Sequence, residues 1–146
     1  MIRYYRPDDL CGCAAVFCAS FQAEPWKEQW TEKLAETRIS ELMNTTLSVG
    51  YVCEENGRII GFAAGRAVTY LYGKEYVIDE FCISAEMQGK GIGSAMMRQI
   101  TAEMTDTGFA GIVLNTTNGY PSERFYLKNG FVQNEAMITM YRTLDK

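Results

Sequence analysis

Residues 88–93 read Gln88-Gly89-Lys90-Gly91-Ile92-Gly93, three glycines within five positions. They stand between a segment rich in β-branched and aromatic residues, Glu75 to Ser84, and an amphipathic run from about Ile92 to Asp106. Glycine lacks a Cβ, so it permits positive φ and lets a ligand come close to the main chain. A helix beginning there presents unpaired N–H groups and a partial positive charge, and with Lys90 nearby the loop forms an anion site. Two nucleotide loops are excluded. A Walker loop requires Gly-Lys followed by Ser or Thr, and no Lys-Ser or Lys-Thr follows Gly93. A dinucleotide loop spaces its glycines as GxGxxG after an early strand, whereas Gly89, Gly91 and Gly93 alternate singly, well into the chain.

Working outward from the loop, the pattern upstream is that of strands. Leu47 to Glu54 and Arg58 to about Tyr72 flank Glu55-Asn56-Gly57, an Asn-Gly turn of the kind that closes hairpins. Gly73-Lys74 makes the next turn, and Glu75 to Ser84 completes an antiparallel meander. Before it, Ile2 to Arg6 reads as a short strand, and Asp8 or Asp9 caps a helix through Ala14, Val16, Phe17 and Phe21. Trp26 and Trp30, four apart, open a second helix that runs to about Asn44. Downstream of the loop come a helix from Ile92 to Asp106, a strand Gly111 to Thr116, a helix from about Ser122 to Lys128 capped by Asn129-Gly130, and a last strand Phe131 to Arg142. The order β-α-α-β-β-β-α-β-α-β predicts an α/β (α+β) fold with one mixed sheet, parallel pairing near its centre and helices on both faces.

The 146 residues are 47% hydrophobic and 22% charged, the profile of a single globular domain spanning 1–146. No apolar run reaches 18 residues, and Met1 to Pro7 lacks the apolar stretch of a secretory signal, so a cytoplasmic protein without a membrane partner is expected. A net charge of −4 disfavours nucleic acid. The five cysteines, at 11, 13, 18, 53 and 82, form no CxxC pair, so neither a metal site nor a disulfide framework is expected. Histidine is absent, which removes Ser-His-Asp and Cys-His mechanisms and leaves proton transfer to carboxylates, tyrosine, cysteine, lysine or water.

Gln88 to Gly93 resembles the [QR]xxGx[GA] loop of the GNAT superfamily of acetyl-CoA-dependent N-acetyltransferases. Phe125-Tyr126-Leu127-Lys128-Asn129-Gly130-Phe131 is similar to a second element of that family, FYxKxGF, and the spacing of the two and the element order agree with it. The resemblance implies acetyl-CoA as cosubstrate and no metal. Its pyrophosphate would lie on the main-chain amides of Gln88, Gly89, Gly91, Ile92, Gly93 and Ser94, with Lys90 beside them. Its pantetheine arm would pair with the main chain of Phe81, Cys82 and Ile83. Tyr126 matches the tyrosine that stands next to the thioester sulfur and protonates the departing thiolate. Glu80, and after it Asp79, occupies the place of the carboxylate that deprotonates the amine. Strand alternation sends these two to opposite faces unless a bulge intervenes.

An alkylammonium with a pKa of about 10.4 must lose its proton before it can attack, which is the work such a carboxylate would do. Phe21, Glu24, Trp26, Glu28 and Trp30 form an aromatic and acidic group suited to a cationic amine, although Trp26 and Trp30 at helical spacing are equally what core packing produces. Glu24-Pro25-Trp26 followed by Trp30 resembles the opening of aminoglycoside 6'-N-acetyltransferase-like members. The expected reaction is direct acetyl transfer to a primary amine of a small cationic acceptor. A protein or peptide N-acetyltransferase and a non-catalytic acyl-CoA sensor are the alternatives. Cys82 reads as apolar filler in preference to a nucleophile. Met137 to Tyr141 offers a strand that would pair across a two-fold axis in a homodimer.

Overall fold

The computed structural model describes residues 1–145. The chain divides into two compact units, Met1–Thr116 and the residues from Thr117 onward. In the first, the elements are β1 (Ile2–Tyr4), α1 (Leu10–Gln22), α2 (Glu32–Met43), β2 (Ser48–Glu55), β3 (Arg58–Tyr70), β4 (Gly73–Ile83), α3 (Ile92–Asp106) and β5 (Gly111–Leu114). The second contains α4 (Pro121–Lys128).

The sheet runs β1-β2-β3-β4-β5 in sequence order, antiparallel at every step except the last, where β4 and β5 are parallel. The meander is built as its turn residues dictate. Asn56 and Gly57, at φ 51° and 75°, form a two-residue loop with Glu55 opposite Arg58. That is the geometry whose twist matches flanking strands.

One face of the sheet carries α1 and α2. Phe17, Cys13 and Ala14 from α1 and Ala35 and Ile39 from α2 close over Val52, Phe62, Ala64 and Cys82. The opposite face receives α3, where Met96, Met97 and Ile100 are fully buried and Glu103 accepts a 2.9 Å hydrogen bond from the hydroxyl of Tyr51.

Three expectations are corrected. The second helix starts at Glu32, not near Trp26, because Thr31 provides the N-cap, its side chain accepting from the Leu34 N–H at 3.1 Å. Residues 23–30 are irregular, and Lys27 stands at φ 49°. Second, Asp9 precedes α1 without capping it through its side chain, because its carboxylate is taken by the Arg6 N–H at 2.8 Å and by Arg3. Third, among the described residues 131–145 form no strand, and Val132, Met137, Ile138, Met140 and Tyr141 are exposed. High β-propensity reflects fit to a half-buried pleated surface, and an exposed segment has none. The parallel pair therefore lies at the edge of the five strands instead of near the centre.

Candidate active site

The glycine loop has the conformation its composition demands. A short 3-10 turn, Ala85–Met87, leads from β4 into Gln88. Gly89 and Gly91 then take φ 75° and 81°, left-handed values that L side chains rarely adopt. Nothing lies within 4 Å of where a Cβ would stand at either position, so backbone conformation alone selects glycine there. Gly91 is the N-cap of α3 and supplies no side-chain acceptor. The first amides of α3, those of Ile92 and Gly93, belong to the turn in which no intrahelical carbonyl is available. The loop is thus an open concavity of main-chain donors at a helix N-terminus, the setting that a pyrophosphate fits. Lys90 is exposed beside it, its ammonium 3.8 Å from the sulfur of Met87.

The Gln88 side chain does something its position in the motif did not announce. Its amide nitrogen donates 3.0 Å back to the Ile83 carbonyl, which also accepts a buried 3.1 Å bond from the Ser20 hydroxyl of α1. Loop, strand end and helix are thereby tied at one oxygen. With two donors already on it, the Ile83 carbonyl has no lone pair left for a pantetheine amide. The N–H of Ser84 donates to the Ile60 carbonyl, so alternation directs the main-chain groups of Cys82 toward β3 as well. The β4–β5 ladder runs from Glu75 to Ile78 and stops. Beyond it, the groups of β4 that face the β5 side are those of Phe81 and the N–H of Ile83.

A β-bulge sets the two carboxylates. Ala64 pairs with Glu80 and Gly65 with Ile78, leaving Asp79 as the extra residue of β4. Gly65 permits this, since a Cβ there would run into the Val77 carbonyl oxygen and come within 2.6 Å of the Tyr76 ring. Glu80, two residues from the α1/α2-facing Cys82, pairs with Arg38 of α2, whose Nε and Nη2 lie 3.3 and 3.2 Å from Oε1. Arg66, two residues from the α1/α2-facing Ala64, pairs with Asp79 at 3.3 Å. Both carboxylates therefore look to the same face. The Arg66–Asp79 contact is an ion pair without hydrogen-bond alignment, and the buried Oδ2 of Asp79 has no hydrogen bond among the described residues.

Burial pushes the Glu80 carboxyl up to about 7 against the lowering pull of Arg38, and the negative charges of Glu28 and Asp79 add to the rise. A carboxylate with that proton affinity exchanges protons near neutral pH. Cys82 is 6% exposed, and desolvation holds its thiol well above the ordinary range, so no thiolate is available for attack.

The aromatic group is mostly core. The Phe17 ring stacks edge-on against Trp30 at 4.6 Å and tilts against Phe21 at 4.8 Å, and both Phe21 and Trp30 pack on the α1/α2 cluster. Trp26 meets Phe21 at 5.4 Å. Glu24 is spent on an exposed 2.7 Å pair with Lys27, and the Glu28 carboxylate lies 3.5 Å from the Trp30 indole nitrogen. Sequence reasoning missed Arg38, Arg66 and Ser20. Arg38 adjoins the buried Ile39, on the rim of the stripe Ala35–Ile39, and that rim position is the signal that was present.

In the second unit, Tyr126 is half-buried on α4, its ring 5.2 Å from that of Phe125 and 5.5 Å from that of Phe131. Gly130 at φ 89° ends the helix, the Phe131 N–H reaching the Tyr126 carbonyl and the Gly130 N–H the Leu127 carbonyl. This paired arrangement is the Schellman closure that Asn-Gly favours.

A model of the acetyltransferase (GNAT) family matches residues 15–131, from α1 through the glycine loop to the end of the Schellman closure. The chain belongs to that family. The GNAT architecture is equally plain among solved structures. A GNAT family acetyltransferase of Staphylococcus aureus superposes with a TM-score of 0.74 at 17% identity, covering 97% of this chain and 98% of that one. An aminoglycoside acetyltransferase from an uncultured soil metagenomic sample, solved with sisomicin, gives 0.77 at 16% identity over 99% and 96%. Among curated proteins, mouse N-acetyltransferase 8 is 28% identical over 100 residues, which are 64% of this chain and 44% of that protein. Mouse N-acetyltransferase 8B is 27% identical over 115 residues, 74% and 49%. This GNAT chain thus spans about half the length of the curated relatives it matches. Among the described residues no helix is long and apolar enough to cross a membrane.

Proposed function

We propose that residues 1–146 form a single N-acetyltransferase domain that moves an acetyl group from acetyl-CoA to a primary amine of a small, cationic acceptor, directly and within a ternary complex. The observation that carries this reading is the pair Asp79 and Glu80, turned to one face by the bulge, with Glu80 poised near neutrality a few residues before an anion-binding loop.

The bound cosubstrate would supply an activated acyl thioester. The amides of Gly89, Gly91, Ile92 and Gly93 would hold its pyrophosphate, and the β5-facing groups of Phe81 and Ile83 would align its arm. Glu80 would take the proton of the incoming ammonium, and Asp79 would add negative potential that favours a cation on this face. Tyr126 would donate its phenolic proton to the leaving sulfur. The two acidic groups on one face, each beside an arginine, are the support for a cationic acceptor, and an aminoglycoside acetyltransferase shares the fold. Trp26, its ring 5.4 Å from that of Phe21, is the aromatic candidate for the acceptor, while Trp30 and Phe21 pack against the α1/α2 cluster.

The test is release of free thiol from acetyl-CoA over a panel of aminoglycosides, polyamines and lysine-containing peptides. Turnover on the small polycations is expected. Turnover confined to peptides would replace the acceptor class, and binding of acetyl-CoA by calorimetry with no turnover on any amine would replace the enzyme by a sensor.

A further inference from the structure

The Arg38–Glu80 pair joins elements 42 residues apart and has an asymmetric geometry. Arg38 rises from α2, and both nitrogens of its fork converge on the same oxygen, Oε1, at 3.3 and 3.2 Å. Among the described residues no hydrogen bond reaches Oε2. The Arg38 side chain is 39% exposed and that of Glu80 16%, so the arginine is the more solvent-exposed partner of the pair.

We propose that Arg38 is a positioning residue for Glu80: its fork holds Oε1, offsets the burial of the carboxylate with a facing positive charge, and leaves Oε2 to receive the proton of the acceptor ammonium. This deepens the base role given to Glu80 above and rests on it only for the last clause. The groups facing Glu80 define the balance. Arg38 from α2 favours the charged form. Burial disfavours it, as do Glu28 from the segment before α2 and Asp79 from the bulge, the latter partly neutralised by Arg66 of β3. The Cys82 thiol beneath it is neutral throughout the physiological range. Arg38 is thus the cation in contact with Glu80 and the counterweight to its desolvation. Two guanidinium donors converging on Oε1 hold that oxygen in a directed contact that a point charge on a flexible stem does not reproduce.

The experiment separates this proposal from the enzymatic reading. Protein with 13C-carboxyl-labelled glutamate is titrated by NMR, with the Glu80 resonance identified by its loss in Glu80→Gln. The midpoint near 7 in the parent protein should rise by about one unit or more in Arg38→Met, the size of effect a neighbouring arginine has on a carboxylate. In Arg38→Lys, which keeps the charge, it should stay close to the parent value. An unmoved midpoint in a folded Arg38→Met protein would overturn the proposal, whatever the activity. In the thiol-release assay, the acid limb of kcat/KM should move with the NMR midpoint in Arg38→Met. Arg38→Lys should restore the limb yet lower kcat by about tenfold to a hundredfold with KM little changed, because orientation is lost while charge is kept. An unaltered kcat in Arg38→Lys would overturn the positioning claim. If the parent protein acetylates no amine, the proposed function fails while the NMR midpoint still decides the role of Arg38.

Discussion

Asp79 and Glu80 are consecutive residues of one strand, yet both carboxylates face the α1/α2 side of the sheet, Asp79 paired with Arg66 and Glu80 with Arg38. Strand alternation forbids this, and the bulge opposite Gly65 allows it. The two are not equivalent. Glu80 exchanges a proton near neutrality, while Asp79 is the nearby charge that helps raise it. Glu80→Gln should therefore lower kcat/KM by about a hundredfold to ten-thousandfold, and Asp79→Asn by much less. In the parent protein kcat/KM should climb as pH rises through about 7. The acid limb should move to lower pH in Asp79→Asn, because a negative neighbour has been removed. Steady-state profiles of all three proteins check the ranking, and equal losses in the two variants would contradict it.

Glu80 also ties function to stability. Its proton affinity is raised in the folded state, from an ordinary 4.5 to about 7, so the folded protein holds a proton there that the unfolded chain releases. Stability from this group is fully present below pH 4.5 and is lost as pH rises through about 7. Glu80→Gln, which cannot ionise, should be more stable than the parent at pH 8 by about 1–3 kcal/mol, with the gap closing toward pH 4. Urea denaturation at several pH values measures this.

Gly91 combines a left-handed φ of 81° with the N-cap position of α3. Gly91→Ala meets no neighbouring atom, so its cost is conformational, about 1–2 kcal/mol. A shifted loop would also lose part of its amide cradle, and coenzyme A should bind about tenfold more weakly, roughly 1.4 kcal/mol. Thermal unfolding and calorimetry read the two effects separately. Unchanged affinity alongside the expected destabilisation would place the pyrophosphate elsewhere.

Tyr126 packs between Phe125 and Phe131, which Tyr126→Phe preserves while removing the hydroxyl. Stability should change little. If the phenol protonates the leaving thiolate, kcat should fall by about tenfold to a hundredfold with KM retained. A kcat equal to that of the parent would leave Tyr126 a packing residue.

Of the five cysteines only Cys11 is exposed; the other four are buried, and desolvation pushes the Cys13 thiol up to about 12. A thiol reagent should therefore modify one cysteine quickly and the rest only after unfolding. Cys82→Ala should keep most of the activity, and mass spectrometry during turnover should find no acetyl-enzyme. An acetyl group on Cys82 would reverse its assignment as filler.

Much of this molecule was legible from local sequence. Asn56-Gly57 specified a hairpin, Gly89 and Gly91 a left-handed loop, and the amphipathic run Ile92–Asp106 the helix that forms over those same residues. These are short-range matters of φ, capping and periodicity, which a few neighbouring side chains settle. What the sequence left open depends on partners far along the chain. The side to which Asp79 and Glu80 turn was decided by a register shift against β3, and the proton affinity of Glu80 by burial working against Arg38, 42 residues away. Trp30 read equally as an acceptor contact and as core, and Phe17 packs edge-on against it; Phe131 to Arg142 read as a strand that does not form. Burial, charge balance and strand pairing are properties of assembled surfaces, so only the tertiary structure settled them.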